Sequence, residues 1–221
     1  KKVMALSTDK AAAPINVYGA TKLVSDKLFI AGNNIKGNRD LSFSCVRYGN
    51  VMGSRGSVIP LFLEKSKTGN LTITDPNMTR FNITLEQATK MVLWVLENSY
   101  GGEIFVPKIP SYQITDLAEA IGPSCKKIII GVRSGEKIHE EMITAADSYN
   151  TFDLGDYYAI IHPSNEVKRN QYKNHFHSLN LKFDQMKIGL SYNSKENKPY
   201  LTVQQIRDLI KTNISSNFNP I

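Results

Sequence analysis

The sequence lacks long hydrophobic runs. Apolar stretches such as Ile128-Ile129-Ile130 are the size of a core strand, short of the roughly 18 residues of a membrane span. Cysteine is scarce: the two present, Cys45 and Cys125, lie far apart with no metal-ligand spacing. Cys45 falls in an alternating apolar run and reads as a small buried residue, and a cytosolic, reducing location suits both thiols. There is no basic run, zinc-finger spacing or RNA-binding aromatic motif, so the formal charge of +7 does not point to nucleic acid. The scattered lysines fit a small polyanion such as a diphosphate, or solubility alone. No signal peptide and no internal repeat is visible. The first residue is Lys1 rather than Met, so the sequence is expected to begin inside a longer reading frame or after processing. Hydrophobic residues at 41% and charged residues at 21% match a soluble globular protein.

The sequence does contain alternating strand and helix patterns. Val3 to Leu6 reads as a short buried strand ending at the polar Ser7-Thr8-Asp9-Lys10. A helix is expected after Pro14, with Ala20, Leu23, Val24 and Leu28 at three- and four-residue steps. Leu41 to Tyr48 is a strand, followed by the glycine-rich loop Gly49 to Gly56. Helices are then expected over Val58 to Lys67, Leu85 to Asn98 (after Thr84, a good N-cap residue), Ile114 to Ile121, Glu136 to Ile143 and Val203 to Ile210. Strands are expected over Leu71 to Thr74, Glu103 to Val106, Lys127 to Val132 and Tyr157 to His162. From Pro163 to about Lys198 the pattern weakens. This succession predicts an α/β protein with a largely parallel sheet.

Chemistry concentrates in the first 22 residues. Tyr18 and Lys22, four apart, share a helix face. A lysine ammonium beside a phenol favours the phenolate, bringing a group with a free pKa of about 10 toward use as a base on a sugar hydroxyl. Thr8, at the preceding strand end, is placed to hold the same hydroxyl. With ten tyrosines in the chain, chance alone supplies a Tyr-x-x-x-Lys pair. The weight lies in the succession of strand, Ser-Thr edge and helix carrying the pair.

Ala5-Leu6-Ser7-Thr8-Asp9-Lys10-Ala11-Ala12 with Val17-Tyr18-Gly19-Ala20-Thr21-Lys22 resembles the extended short-chain dehydrogenase/reductases. Within them it is most similar to the inverting UDP-N-acetylglucosamine 4,6-dehydratases, which make the first intermediate of pseudaminic acid. The resemblance continues through Arg47-Tyr48-Gly49-Asn50-Val51, Met78-Thr79-Arg80-Phe81, Lys108-Ile109-Pro110-Ser111-Tyr112 and Gly131-Val132-Arg133-Ser134-Gly135-Glu136-Lys137, and on to Ser191-Tyr192-Asn193. It implies an NADP-dependent lyase, with NAD as the second choice of cofactor, acting on a UDP-sugar. The catalytic set would be Thr8, Asp9, Lys10, Tyr18 and Lys22. Retaining dehydratases place Asp-Glu after the threonine, whereas Asp9-Lys10 is the inverting pairing. A lysine acting as the C5 base needs its free pKa of about 10.4 lowered by burial or neighbouring cations. Larger membrane-anchored relatives tend to carry Met where this chain has Tyr18. A related epimerase, sharing the Tyr/Lys oxidation without elimination, and an inactive fragment with only an assembly role are the alternatives.

The spacing of Gly49, Gly53 and Gly56 is not the Gly-x-Gly-x-x-Gly of a dinucleotide turn. By resemblance the loop faces the nucleotide sugar, with Asn50 and Arg55 toward the substrate and Val51, like Tyr18 and Lys22, toward the cofactor. Arg80 and Arg133 are candidate diphosphate contacts because a guanidinium offers paired donors. Glu136 would meet the ribose and Thr72 the nucleotide. His139-Glu140-Glu141 is not a zinc-protease motif, because position 143 is Ile. The expected organisation is a Rossmann-like half with the catalytic residues over 1–56, a mostly substrate-binding α/β subdomain with returning sheet elements over 57–162, and a C-terminal extension over 163–221. The glycine-rich turn that holds a dinucleotide's pyrophosphate in such folds is absent, so these 221 residues alone are expected to bind the cofactor poorly. A homo-oligomer is expected for the full-length form.

Overall fold

The computed structural model describes residues 1–221. In chain order the elements are β1 (Lys2–Thr8), α1 (Val17–Ile35), β2 (Ser42–Tyr48), β3 (Asn50–Val51), α2 (Val58–Ser66), β4 (Asn70–Ile73) and β5 (Thr79–Ile83). There follow α3 (Leu85–Asn98), β6 (Ile104–Pro107), β7 (Ser111–Gln113), α4 (Ile114–Ile121), β8 (Lys126–Ile129) and β9 (Glu141–Ile143). The last are β10 (Thr151–Asp153), β11 (Tyr157–Ile160), α5 (Glu166–Ser178), β12 (Asp184–Gln185), β13 (Tyr192–Asn193) and α6 (Val203–Asn213). Short 3-10 turns occupy Asp9–Ala11 and Asp147–Asn150. No helix is long and apolar enough to cross a membrane.

The chain folds into two compact units. The first comprises Lys1–Tyr48, Gln87–Lys108 and Glu141–Tyr192, and the second Gly49–Glu86, Ile109–Glu140 and Asn193–Ile221. The last stretch of the sequence, 163–221, is thus shared between them.

The first unit is built on a six-stranded sheet in the order β1-β2-β6-β11-β10-β12. β1, β2 and β6 run parallel, as the βαβ pattern requires, while β11 and β10 add antiparallel. The expected largely parallel sheet is therefore parallel only on the side that carries β1. Side chains of β1 and β2 alternate between two faces. Val46 joins Met91, Val95, Phe105 and Phe176 in a buried cluster, where Phe105 makes edge contacts with Trp94 and Phe176. α1 is tied to β2 by Asn33, whose side chain bonds both the N–H and the carbonyl of Phe43.

The second unit holds two small sheets, β3-β5-β7 and the parallel pair β4-β8. Its core packs Ile59 and Phe62 of α2, Leu71 and Ile73 of β4, Leu117 and Ile121 of α4, and Ile206 and Ile210 of α6. α6 begins with a full capping box between Thr202 and Gln205.

Two regions depart from the sequence reading. The helix expected over Glu136 to Ile143 does not form. The backbone there is irregular and ends in β9. Its polar groups are taken by distant partners: the Ile138 carbonyl accepts from the Thr79 N–H, and the Glu140 N–H donates to Ser194 Oγ. Those bonds replace the local ladder a helix needs. Conversely, the weak stretch after Pro163 contains α5, capped by Asn165 and buried only through Tyr172 and Phe176.

Candidate functional site

β1 delivers the polar cluster. Its last residue, Thr8, is the N-cap of the 3-10 turn, and its Oγ1 accepts from the Lys10 N–H at 3.4 Å while donating to Asp9 Oδ1 at 2.8 Å. Lys10 Nζ donates to the same Oδ1 at 2.9 Å. Asp9 is fully buried, and its Oδ2 has no hydrogen-bond partner, whereas the Lys10 side chain keeps a third of its surface exposed. A buried carboxylate oxygen without a donor is costly, so the turn is held in a state with unmet hydrogen-bonding demand.

α1 starts at Val17 because Asn16 caps it, accepting from the Gly19 N–H at 2.8 Å. Tyr18 in the first turn is 55% exposed. Lys22, one turn on, donates Nζ to the Leu6 carbonyl of β1 at 2.9 Å. The five predicted catalytic residues thus all lie in the first unit, on the end of β1, its 3-10 turn and the first two turns of α1. This is the carboxyl end of parallel strands, where open α/β sheets bind their ligands.

Gly19 is what lets α1 approach. A Cβ there would overlap the Lys10 carbonyl oxygen and stand 3.0 Å from Pro14 Cβ. Gly19→Ala therefore has to push the helix start away from the turn that carries Lys10. Overpacking of this kind costs about 1–3 kcal/mol. The expected result is a lower urea midpoint, and an unchanged midpoint would show that the helix start yields freely.

The second unit holds the other predicted residues. Asn50 and Val51, both half-buried, form β3 and pair with Asn82 and Ile83 of β5. Arg55 is exposed on the following loop, where Gly53 and Gly56 have positive φ. Thr72 in β4 accepts from Lys65 Nζ at 3.0 Å. Arg133 is exposed between Gly131 (φ 86°) and Gly135 (φ 80°), and its backbone N–H lies 3.4 Å from a Glu136 carboxylate oxygen. Arg80 has a structural part to play: Nη1 donates to the Thr79 and Ile138 carbonyls at 2.7 and 3.0 Å, and Nε lies 3.6 Å from Glu140.

Near Arg80, His139 Nδ1 lies 2.9 Å from Thr79 Oγ1, and burial first, then Lys195 and Arg80, lowers its pKa from 6.5. A histidine kept neutral in the fold but protonated when unfolded contributes stability that is intact above about pH 6.5 and lost as pH falls below it. Urea unfolding should show a smaller loss of stability on acidification for His139→Gln than for the parent. Equal losses would mean that the histidine does not sense the fold.

Sequence reasoning missed one cluster in the first unit. Asp26 and Arg47, both almost fully buried, pair at 3.0 Å, and Ser7 Oγ donates to the same Asp26 Oδ2 at 2.9 Å. The available signal was Asp26 one turn beyond Lys22, and an arginine inside an otherwise uncharged strand.

The parallel β1-β2-β6 core with a Tyr/Lys helix packed beside β1 defines an extended short-chain dehydrogenase/reductase fold. Residues 1–162 match the family described as "Polysaccharide biosynthesis protein", and the chain belongs to that family. It is 50% identical over 212 residues to a "UDP-N-acetylglucosamine 4,6-dehydratase (inverting)" of Campylobacter jejuni strain 81-176, spanning 95% of this chain and 63% of that protein's length. It is also 45% identical over 164 residues to a "UDP-glucose 4-epimerase" of Rickettsia canadensis, covering 72% of this chain and 48% of the relative. Among solved structures, Pen from Bacillus thuringiensis superposes with a TM-score of 0.82 at 34% identity, over 97% of this chain and 62% of the other.

Proposed function

We propose that the whole protein carrying this chain is an inverting UDP-N-acetylglucosamine 4,6-dehydratase. The observation that carries the reading is the Asp9–Lys10 pair, joined at 2.9 Å in the turn directly after β1, beside the helix that bears Tyr18 and Lys22. Oxidation alone needs only the phenol and its lysine. Loss of water across C5 and C6 needs in addition a base and an acid held together, and passage of the shared proton from Lys10 Nζ to Asp9 across their contact would make this pair both. The 50% identity to the Campylobacter dehydratase supports the same reading.

In this mechanism Tyr18 takes the proton from the C4 hydroxyl, with Lys22 and Thr8 positioning and polarising. The C4 ketone acidifies the C5 hydrogen, which Lys10 removes. Asp9 protonates the departing C6 hydroxyl, which requires its enclosed Oδ2 to turn out of the 3-10 turn. The chemistry of the groups beside the end of β1 suits a nicotinamide: an exposed phenol and a lysine fixed to a strand-end carbonyl are donors a ring and its ribose could meet. Tyr18, Lys22 and Val51 would hold that cofactor, taken as NADP. When bound it supplies the hydride exchange, from C4 and back to C6.

Arg133, exposed in a glycine-flanked turn, is the stronger diphosphate candidate. Arg80 would serve only by sharing donors already committed to backbone. Asn50, Arg55, Thr72 and Glu136 complete the proposed substrate contacts. A cytoplasmic homo-oligomer with a place in pseudaminic acid synthesis belongs to the same proposal.

The epimerase reading draws on the Rickettsia relative, but assigns no task to Lys10. Incubating the whole protein with UDP-N-acetylglucosamine separates them by product mass. The dehydratase gives a product lighter by one water, and a product of unchanged mass overturns the reading.

A further inference from the structure

We infer that Asp26 is a positioning residue for the reacting groups, acting through Ser7 and Arg47. Three consecutive residues at the end of β1 are engaged: Leu6 by Lys22 and Ser7 by Asp26, both from α1, while Thr8 caps the turn of Asp9 and Lys10. Tyr18, Lys22 and Asp26 follow one another at four-residue steps, so one stripe of α1 carries the phenol, its lysine and the anchor. The β1-β2 register places Ser7 beside Arg47, and both reach the same Asp26 Oδ2, at 2.9 and 3.0 Å. Arg47 extends the clamp by donating Nη1 to the Met142 carbonyl at 3.0 Å and standing 3.9 Å from Asp147.

The charges are enclosed: Asp26 is 1% and Arg47 2% exposed. A surface aspartate at this helix position would leave α1 held to the strands through Lys22 at Leu6 and Asn33 at Phe43. A buried carboxylate fixed by two donors from two strands allows one register only. That register decides where Lys22 meets the Leu6 carbonyl, and hence where Tyr18 stands relative to Thr8 and Lys10. Misplacement of reacting groups by about 1 Å costs on the order of a hundredfold in rate, with little effect on binding.

The inference rests on the proposed function for its kinetic readout. In the whole protein, Asp26→Asn should lower kcat by roughly tenfold or more with KM almost unchanged. Ser7→Ala, which cuts the Ser7–Asp26 link between strand and helix but keeps the buried ion pair, should lower kcat in the same direction while the thermal midpoint stays near the parent's. The fall in kcat should be smaller for Ser7→Thr, which keeps the hydroxyl. Should Asp26→Asn fail to fold, the Ser7 variants decide alone. Folded Ser7→Ala with parental kcat overturns the inference, as does a change confined to KM. If the parent itself turns over no nucleotide sugar, the functional reading has failed separately. Amide hydrogen exchange in Tyr18–Lys22 then decides: faster exchange there in Ser7→Ala, with β2 unaffected, supports the clamp, and unchanged exchange overturns it.

Discussion

Lys10→Met should abolish dehydration while sparing oxidation. Methionine keeps an unbranched apolar stem of nearly the same length, with a sulfur for one methylene, and lacks the nitrogen. Thr8 still donates to Asp9 Oδ1 at 2.8 Å and still accepts from the backbone N–H of residue 10, so the 3-10 turn keeps its cap. What disappears is the group proposed to take the C5 proton. Removing a general base typically costs about 10²–10⁴-fold in rate. With UDP-N-acetylglucosamine and the cofactor, the variant of the whole protein should therefore reduce the nicotinamide in a first turnover and then stall, its 6-deoxy-4-keto product falling by about that factor. Parental product formation would remove Lys10 from the mechanism, and an epimerase or a scaffold would show no loss at all.

Asp26→Ala should be among the most destabilising single changes in the first unit. It leaves the Arg47 guanidinium 2% exposed, with the Asp147 carboxylate 3.9 Å away as its remaining ion partner. Breaking a buried pair from one side costs about 3–5 kcal/mol, because a charge stays out of water uncompensated. For a chain of this size that is a fall of about 6–20 °C in the thermal midpoint. The double variant Asp26→Ala with Arg47→Met should regain most of the loss, since it removes both charges and refills the space with an apolar side chain. A single variant within about 1 kcal/mol of the parent, measured by urea unfolding, would mean that the pair is hydrated in solution.

The contrast between these two positions explains what the sequence made legible. Thr8, Asp9, Lys10, Tyr18 and Lys22 span fifteen positions and are held by local devices: a Thr8 cap, an Asn16 cap and one helix turn. Such devices can be read from neighbouring letters, and the bounds of α3 and α4 were legible for the same reason. Asp26–Arg47 was not, because a charged residue reads as surface until the fold brings its partner to it. The segment Glu136 to Ile143 misled likewise. Its periodic apolar residues suit a helix, but Thr79 and Ser194, far away in sequence, take its backbone groups. Arg80 reads as an anion contact and is found clasping the Ile138 carbonyl and Glu140. α5 stayed hidden because only Tyr172 and Phe176 in its thirteen residues are buried. The candidate site was legible where its contacts are local, and the buried contacts beside it were hidden where they are not.

The most direct test of the central claim is the fate of C5 when the whole protein converts UDP-N-acetylglucosamine in deuterated water, followed by NMR. Proton removal at C5 by Lys10 and return of a solvent deuteron on the opposite face predict one deuterium at C5 with inverted configuration in a 6-deoxy-4-keto product. A product that retains the C5 configuration, or carries no solvent deuterium there, would contradict the roles assigned to Asp9 and Lys10.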